Sequence, residues 1–284
     1  MRVAVVQLGH DDDEPVAVRV RRAADLVRGV RGCDLVVLPE LWAVGAFSHQ
    51  DWPGRAEPVD GPTVRALAEA AVASGALVHA GSILERRSGA EGDEGSPDAP
   101  LWNTSVLLGP DGTVLARYRK IHTFGFGDGE AALVAAGREP VTVTVPLPRE
   151  EDGTGPDGRT VCLGLATCYD LRFPELFRAL VDRGAVAFVI PAAWPAERVG
   201  HWTLLGQARA VENQCLVIQC NTAGVHAGRR MGGRSQVVLA DGEVVARAGD
   251  GEEILTVTVS LDRILRWRRR FPVLADRRSW WRTD

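Results

Sequence analysis

Three polar residues stand where apolar runs that read as strands come to an end. Glu40 closes VVLPE, Lys120 closes VLARYRK and Cys168 closes LGLATC. Ligand-handling groups in open α/β sheets collect at such ends, where the scaffold fixes side chains that project into a crevice. Singly, each has a plainer reading: a glutamate after a strand starts an exposed loop, and a cysteine there is a small buried hydrophobe. Together they supply complementary parts. A thiol with a pKa of about 8.5 is mostly protonated at neutral pH and needs a base or a cation to become a nucleophile. A carboxylate is the base. An ammonium stabilises both a thiolate and the oxyanion of a tetrahedral intermediate. The backbone N–H of Tyr169, just past the cysteine at a strand-to-helix turn, is a second donor where the helix dipole favours negative charge.

Of the 33 basic residues, 32 are arginine and one, Lys120, is lysine. A chain that uses arginine wherever a cation is wanted keeps one lysine where a compact, proton-exchanging ammonium is needed. Chance survival in an arginine-biased composition is the competing reading, and the neighbours of Lys120 must decide between the two.

Positioning these groups requires an α/β scaffold, and apolar strands alternate with amphipathic helices along the chain. The chain also repeats itself. VLLGPDGTVLARYR (106–119) and VVLADGEVVARAG (237–249) are hairpins turning on Asp-Gly. Upstream, 67–83 resembles 204–221, DLVVLPELW resembles AVAFVIPAAW, and the helix-linked strands RVAVVQL and TVCLGLATC correspond. Each half reads strand, helix, strand, loop, helix, strand, hairpin. Each would leave one sheet face bare, so stacking the two sheets predicts a four-layer α-β-β-α sandwich, a single domain over 1–284. The polar stretches 86–100 and 149–159 read as solvated loops. The C-terminal segment, about 261–284, reads as an amphipathic helix and a basic, tryptophan-rich tail suited to contact with another subunit.

Composition narrows the function. A net charge of −4 gives no reason to expect nucleic acid, and no apolar run reaches the roughly 18 residues that span a bilayer. The N-terminal stretch lacks the pattern of a signal peptide. Five cysteines without a CxxC pair argue against a disulfide framework or a zinc knuckle. Six histidines show no metal spacing, and GFGDGE (125–130) follows no strand-to-helix phosphate loop. The expectation is a cytoplasmic protein with no cofactor and no metal.

VVLPELW around Glu40, YRKIHTF around Lys120 and CYDLRFPELFR from Cys168, in that order, resemble the nitrilase superfamily of carbon–nitrogen hydrolases over nearly the whole chain. The resemblance implies the α-β-β-α fold, subunit association as a homodimer or larger homo-oligomer, and a catalytic triad on Glu40, Lys120 and Cys168. It also implies a second glutamate, which falls on Glu130, seven residues before Gly137; Val134 replaces the aromatic residue usual in that motif. The implied chemistry is hydrolysis of a small-molecule amide through a thioester. WPAERVGHWTLLGQARAVENQ (194–214) looks most like the ω-amidase branch, which acts on 2-oxoglutaramate and 2-oxosuccinamate. Trp194 is then a pocket wall. His201 caps or packs rather than reacts. Arg172, four residues past the nucleophile, is placed to hold a substrate carboxylate, as an arginine does in carbamoylase relatives; an internal pair with Asp170 or Glu175 is the competing reading. The alternatives are an N-carbamoyl-amine amidase, a deaminated-glutathione-type amidase, or a non-catalytic binding protein on the same fold. A true nitrilase fits less well, since Tyr-Asp-Leu-Arg follows Cys168 instead of Trp-Glu.

Overall fold

The first strand, β1 (Arg2–Gln7), is apolar on both sides: Val3 and Val5 point to one face, Ala4 and Val6 to the other, and all four are fully buried. A strand covered on both faces belongs inside a layered α/β structure. The computed structural model describes residues 1–86, 100–126, 129–147 and 159–278 and shows those layers. Ala4 and Val6 pack with Ala23 and Val27 of α1 (Val16–Gly29) and Leu67 and Ala71 of α2 (Pro62–Ser74). Val3 and Val5 pack the other way, against Leu163, Val189 and Ile218 of a second sheet.

Each of the two stacked sheets has six strands. The first half contributes β1, β2 (Leu35–Val37), β3 (Leu77–Arg86), β4 (Leu101–Leu108) and β5 (Val114–Arg119). Then come β6 (Val141–Pro146) and the second half: β7 (Thr160–Leu165), α3 (Pro174–Asp182), β8 (Ala187–Pro191), α4 (Val199–Asn213), β9 (Leu216–Cys220), β10 (Gln236–Val238) and β11 (Val244–Arg247). β12 (Glu253–Thr258) and α5 (Leu261–Arg270) follow. The strand orders are β12-β1-β2-β3-β4-β5 and β11-β10-β9-β8-β7-β6. The repeat is therefore structural: β1, β2 and β3 are parallel neighbours, as are β7, β8 and β9, and an antiparallel hairpin follows each set.

The repeat alone does not reveal how the halves interlock. β6 leaves the first half and pairs antiparallel with β7 in the second sheet, while β12 leaves the second half and pairs antiparallel with β1. Each half thus supplies an edge strand to the other's sheet, which joins the two halves by backbone hydrogen bonds as well as by their shared core. Edge strands bury few residues, so their patterning does not say which sheet they complete.

The predicted C-terminal amphipathic helix is α5, capped by Ser260, with Leu261 and Ile264 buried and Leu265 and Phe271 exposed. Residues 279–284 of the tail lie outside the described residues, as do 87–99 and 149–158 of the two expected loops. No helix among the described residues is long and apolar enough to cross a membrane.

Candidate active site

Glu40 faces inward because the loop after β2 is drawn tightly onto β3. Gly81 makes this possible: it has a left-handed φ of 69°, and a β-carbon there would overlap the Pro39 carbonyl. The next turn is fixed by the Leu41 N–H, which donates to the backbone carbonyl and hydroxyl oxygens of Ser82. The buried Glu40 carboxylate accepts three hydrogen bonds. Oε1 takes Lys120 Nζ at 2.7 Å and Asn103 Nδ2 at 2.8 Å, and Oε2 takes the Ala193 N–H at 3.0 Å.

Lys120 follows β5, with its N–H donating to the Asn103 carbonyl at 2.9 Å. Gly137 packs directly on this strand: its N–H donates to the Lys120 carbonyl, and a β-carbon would overlap the carbonyl of Arg119. That close approach explains the glycine in the Glu130 motif. Glu130 opens a short helical turn, Glu130–Leu133, and its Oε2 accepts from Lys120 Nζ and the Phe124 N–H, each at 2.7 Å. Its Oε1 accepts from Asn103 Nδ2 at 2.7 Å. Val134 fills a small apolar cluster with Trp52, Leu101 and Met231.

Lys120 is only 2% exposed. Burial alone would lower its pKa, but Glu130 and Glu40 outweigh that and hold the ammonium well above the usual lysine range. Burial pushes the Glu130 carboxyl up, assisted by the Glu40 charge and opposed by Lys120.

Cys168 begins a single-turn helix, Cys168–Arg172, at a backbone φ of 49°, a left-handed geometry that costs a non-glycine residue about 1–3 kcal/mol. A capping box between Thr167 and Asp170 holds the turn. Asp170 is fully buried and accepts from the Thr167 N–H, the Tyr118 hydroxyl, the His122 N–H and His122 Nδ1, at 2.7–3.0 Å. The turn bearing the thiol is thereby tied to the segment bearing Lys120.

The charge of Lys120 does not set the state of the thiol alone. Burial and the Glu40 charge raise the Cys168 thiol, outweigh Lys120, and leave it well above the usual cysteine range. Both burial and the facing Glu40 carboxylate thus favour the thiol form. A thiol held in this form beside a carboxylate is the arrangement that general-base activation requires.

A cleft of about 470 Å³ opens above Glu40, Lys120, Glu130 and Cys168, walled by Phe124, Tyr169, Arg172, Trp194, Pro195 and Arg198, among others. Trp194 is wall and core together: it faces the cleft, packs 5.6 Å from Trp202, and donates Nε1–H to the Arg198 carbonyl. Tyr169 stands edge-on to Phe124 and to Phe173. The Arg172 guanidinium lies 4.9 Å from the Trp194 ring centre and 3.4 Å from His201 Nδ1. Among the described residues it forms no ion pair with Asp170 or Glu175, so it remains available to the cleft. His201 is exposed in the first turn of α4, where it meets Arg172.

Three residues of the site escaped the sequence reading. Asn103 had a signal: asparagine is depleted in strands, yet it stands inside LWNTSVLL. Arg198, stacked 5.7 Å from the Phe124 ring centre, is one arginine among many. Asp170 was seen only as a possible partner for Arg172. Among the described residues, no group of three or more histidine, cysteine or acidic side chains could hold a metal ion.

The carbon-nitrogen hydrolase family profile matches residues 2–269. The chain belongs to the carbon-nitrogen hydrolases. This member is 43% identical over 277 residues to a 2-oxoglutaramate amidase of Paenarthrobacter nicotinovorans, covering 98% of this chain and 89% of that protein. It is 31% identical to the Omega-amidase NIT2 of Homo sapiens, over 98% of this chain and 95% of that one. Its fold superposes with a TM-score of 0.82 and 30% identity on a CN-hydrolase superfamily protein from Xanthomonas campestris described with an arsenic adduct in the active site, covering 99% and 98% of the two chains. This carbon-nitrogen hydrolase therefore has nitrilase-superfamily architecture throughout the matched length.

Proposed function

We propose that the protein is an ω-amidase-like enzyme that hydrolyses the terminal amide of a small acid such as 2-oxoglutaramate or succinamate and releases ammonia. The observation that carries this reading is the convergence of Cys168, Glu40 and Lys120 on the floor of one cleft whose wall holds Arg172, without a carboxylate partner among the described residues. The relatives named above support the choice of amide.

In this mechanism Cys168 Sγ attacks the amide carbon while its proton passes to Glu40. Lys120 and the Tyr169 N–H hold the oxyanion. The C–N bond breaks as Glu40 returns the proton to nitrogen, and ammonia leaves. Water then attacks the thioester, giving a proton to Glu40; the C–S bond breaks, the acid departs, and the proton returns to sulfur. Glu130 keeps the ammonium in place through its 2.7 Å contact with Lys120. Hydrolysis by this route uses no cofactor. The exposed Leu265 on α5 and Phe271 just past its end suit subunit contact, and five free cysteines suit a reducing cytoplasm.

Arg172 supplies the test of specificity. Arg172→Ala is expected to lower kcat/KM about 100-fold for 2-oxoglutaramate, the 2–3 kcal/mol of a charge-assisted contact, mostly through KM. A neutral aliphatic amide should change less than about threefold. Ammonia release from both substrates measures this, and unchanged selectivity would rule out the carboxylate clamp.

A further inference from the structure

Two carboxylates, Glu40 and Glu130, face one ammonium at the floor of the cleft, all three side chains buried. With the Cys168 thiol protonated, the cluster holds one negative charge more than it neutralises. Buried like charges this close normally share a proton, which would disable one of them as a base. The group between them is Asn103, 1% exposed on β4. Its Nδ2 has two hydrogens, and one reaches each carboxylate: Glu40 Oε1 at 2.8 Å and Glu130 Oε1 at 2.7 Å. Its backbone carbonyl also receives the Lys120 N–H. The amide orientation is forced, because reversing it would set Oδ1 against two carboxylate oxygens. Oδ1 itself is buried without a partner, so the side chain forgoes one hydrogen bond to make these two.

We propose that Asn103 is a positioning residue that keeps Glu40 and Glu130 ionised and fixed around Lys120, so that Glu40 is free to take the proton of Cys168. The remaining groups facing the carboxylates are the Lys120 ammonium, the Cys168 thiol, and the neutral N–H donors of Ala193 and Phe124. His49, Arg172 and Arg198 also line the cleft; among the described residues the ion pairs of the two carboxylates are those with Lys120. Removing a donor from an ionised carboxylate raises its proton affinity. The acid limb of any Glu40-dependent reaction then moves to higher pH.

The inference rests on reading Cys168 as nucleophile and Glu40 as its base, and a substrate-free experiment separates the two. Alkylation of Cys168 by iodoacetamide is followed against pH, with the modified residue mapped by mass spectrometry. In wild type Cys168 should react ahead of the other four cysteines; without that selectivity both readings fall. Asn103→Leu should move the acid limb up by at least one pH unit, and Asn103→Asp, which adds a third carboxylate, should move it further. Limbs that stay in place, with Cys168 still selective, would overturn the role of Asn103 alone. If Asn103→Leu folds poorly, Asn103→Leu/Glu130→Gln decides the matter. Removing one of the two carboxylates should raise its Tm above that of the single variant. A Tm no higher would mean that Asn103 only fills space in its strand.

Discussion

Lys120→Arg is expected to give a folded protein whose kcat is lower by about 1,000-fold, on the order of 4 kcal/mol of barrier. The ammonium is a compact charge held at 2.7 Å from both Glu40 and Glu130 in a space that leaves it 2% exposed. A guanidinium reaches the same two carboxylates with its fork, so the ion pairs that hold the fold survive. Its plane and its spread charge then occupy the ground where the oxyanion must form. The lost stabilisation belongs to the transition state, so kcat falls while KM changes little. Steady-state ammonia release with a thermal melt reports both quantities. A variant that keeps more than a tenth of wild-type kcat, about 1.4 kcal/mol, would contradict the role given to the ammonium.

Asp170→Ala is expected to produce the largest loss of stability. Two carboxylate oxygens, fully buried, take hydrogen bonds from Tyr118, Thr167 and two atoms of His122. Truncation leaves these donors unpaired in a dry interior and releases the turn that holds Cys168 in its left-handed geometry. A cost of about 4 kcal/mol follows from the unpaired donors. For a domain of this size it corresponds to roughly 10 °C in Tm. Activity should fall with it, because the nucleophile loses its fixed place relative to Lys120. Asp170→Asn restores an acceptor oxygen but turns its NH₂ toward other donors, so it should recover only part of the stability. A Tm within about 2 °C of wild type for Asp170→Ala would show that the turn is held by other means.

The contrast between these residues shows what the sequence makes visible. Glu40, Lys120 and Cys168 stand out because each breaks an apolar run at its end, a pattern local to a few residues. The duplication is equally plain, since strand, helix and hairpin recur in order. Asp170 is hidden because its donors come from positions 118, 122 and 167, and only the folded chain assembles them. Asn103 is hidden in a similar way: its task is defined by two glutamates at positions 40 and 130. The crossing of β6 and β12 into opposite sheets is a long-range choice that edge-strand patterning does not encode. The raised pKa of the Cys168 thiol is the balance of burial, Glu40 and Lys120, and residue types alone do not weigh those three against each other.

The most direct test of the account is ammonia release from 2-oxoglutaramate and succinamate by wild type and Cys168→Ala, with N-carbamoyl amines, glutamine and an aliphatic nitrile run beside them. The expected result is rapid release from the first two substrates and none from the Cys168→Ala variant. Turnover confined to carbamoyl substrates, or turnover that persists without the thiol, would contradict it.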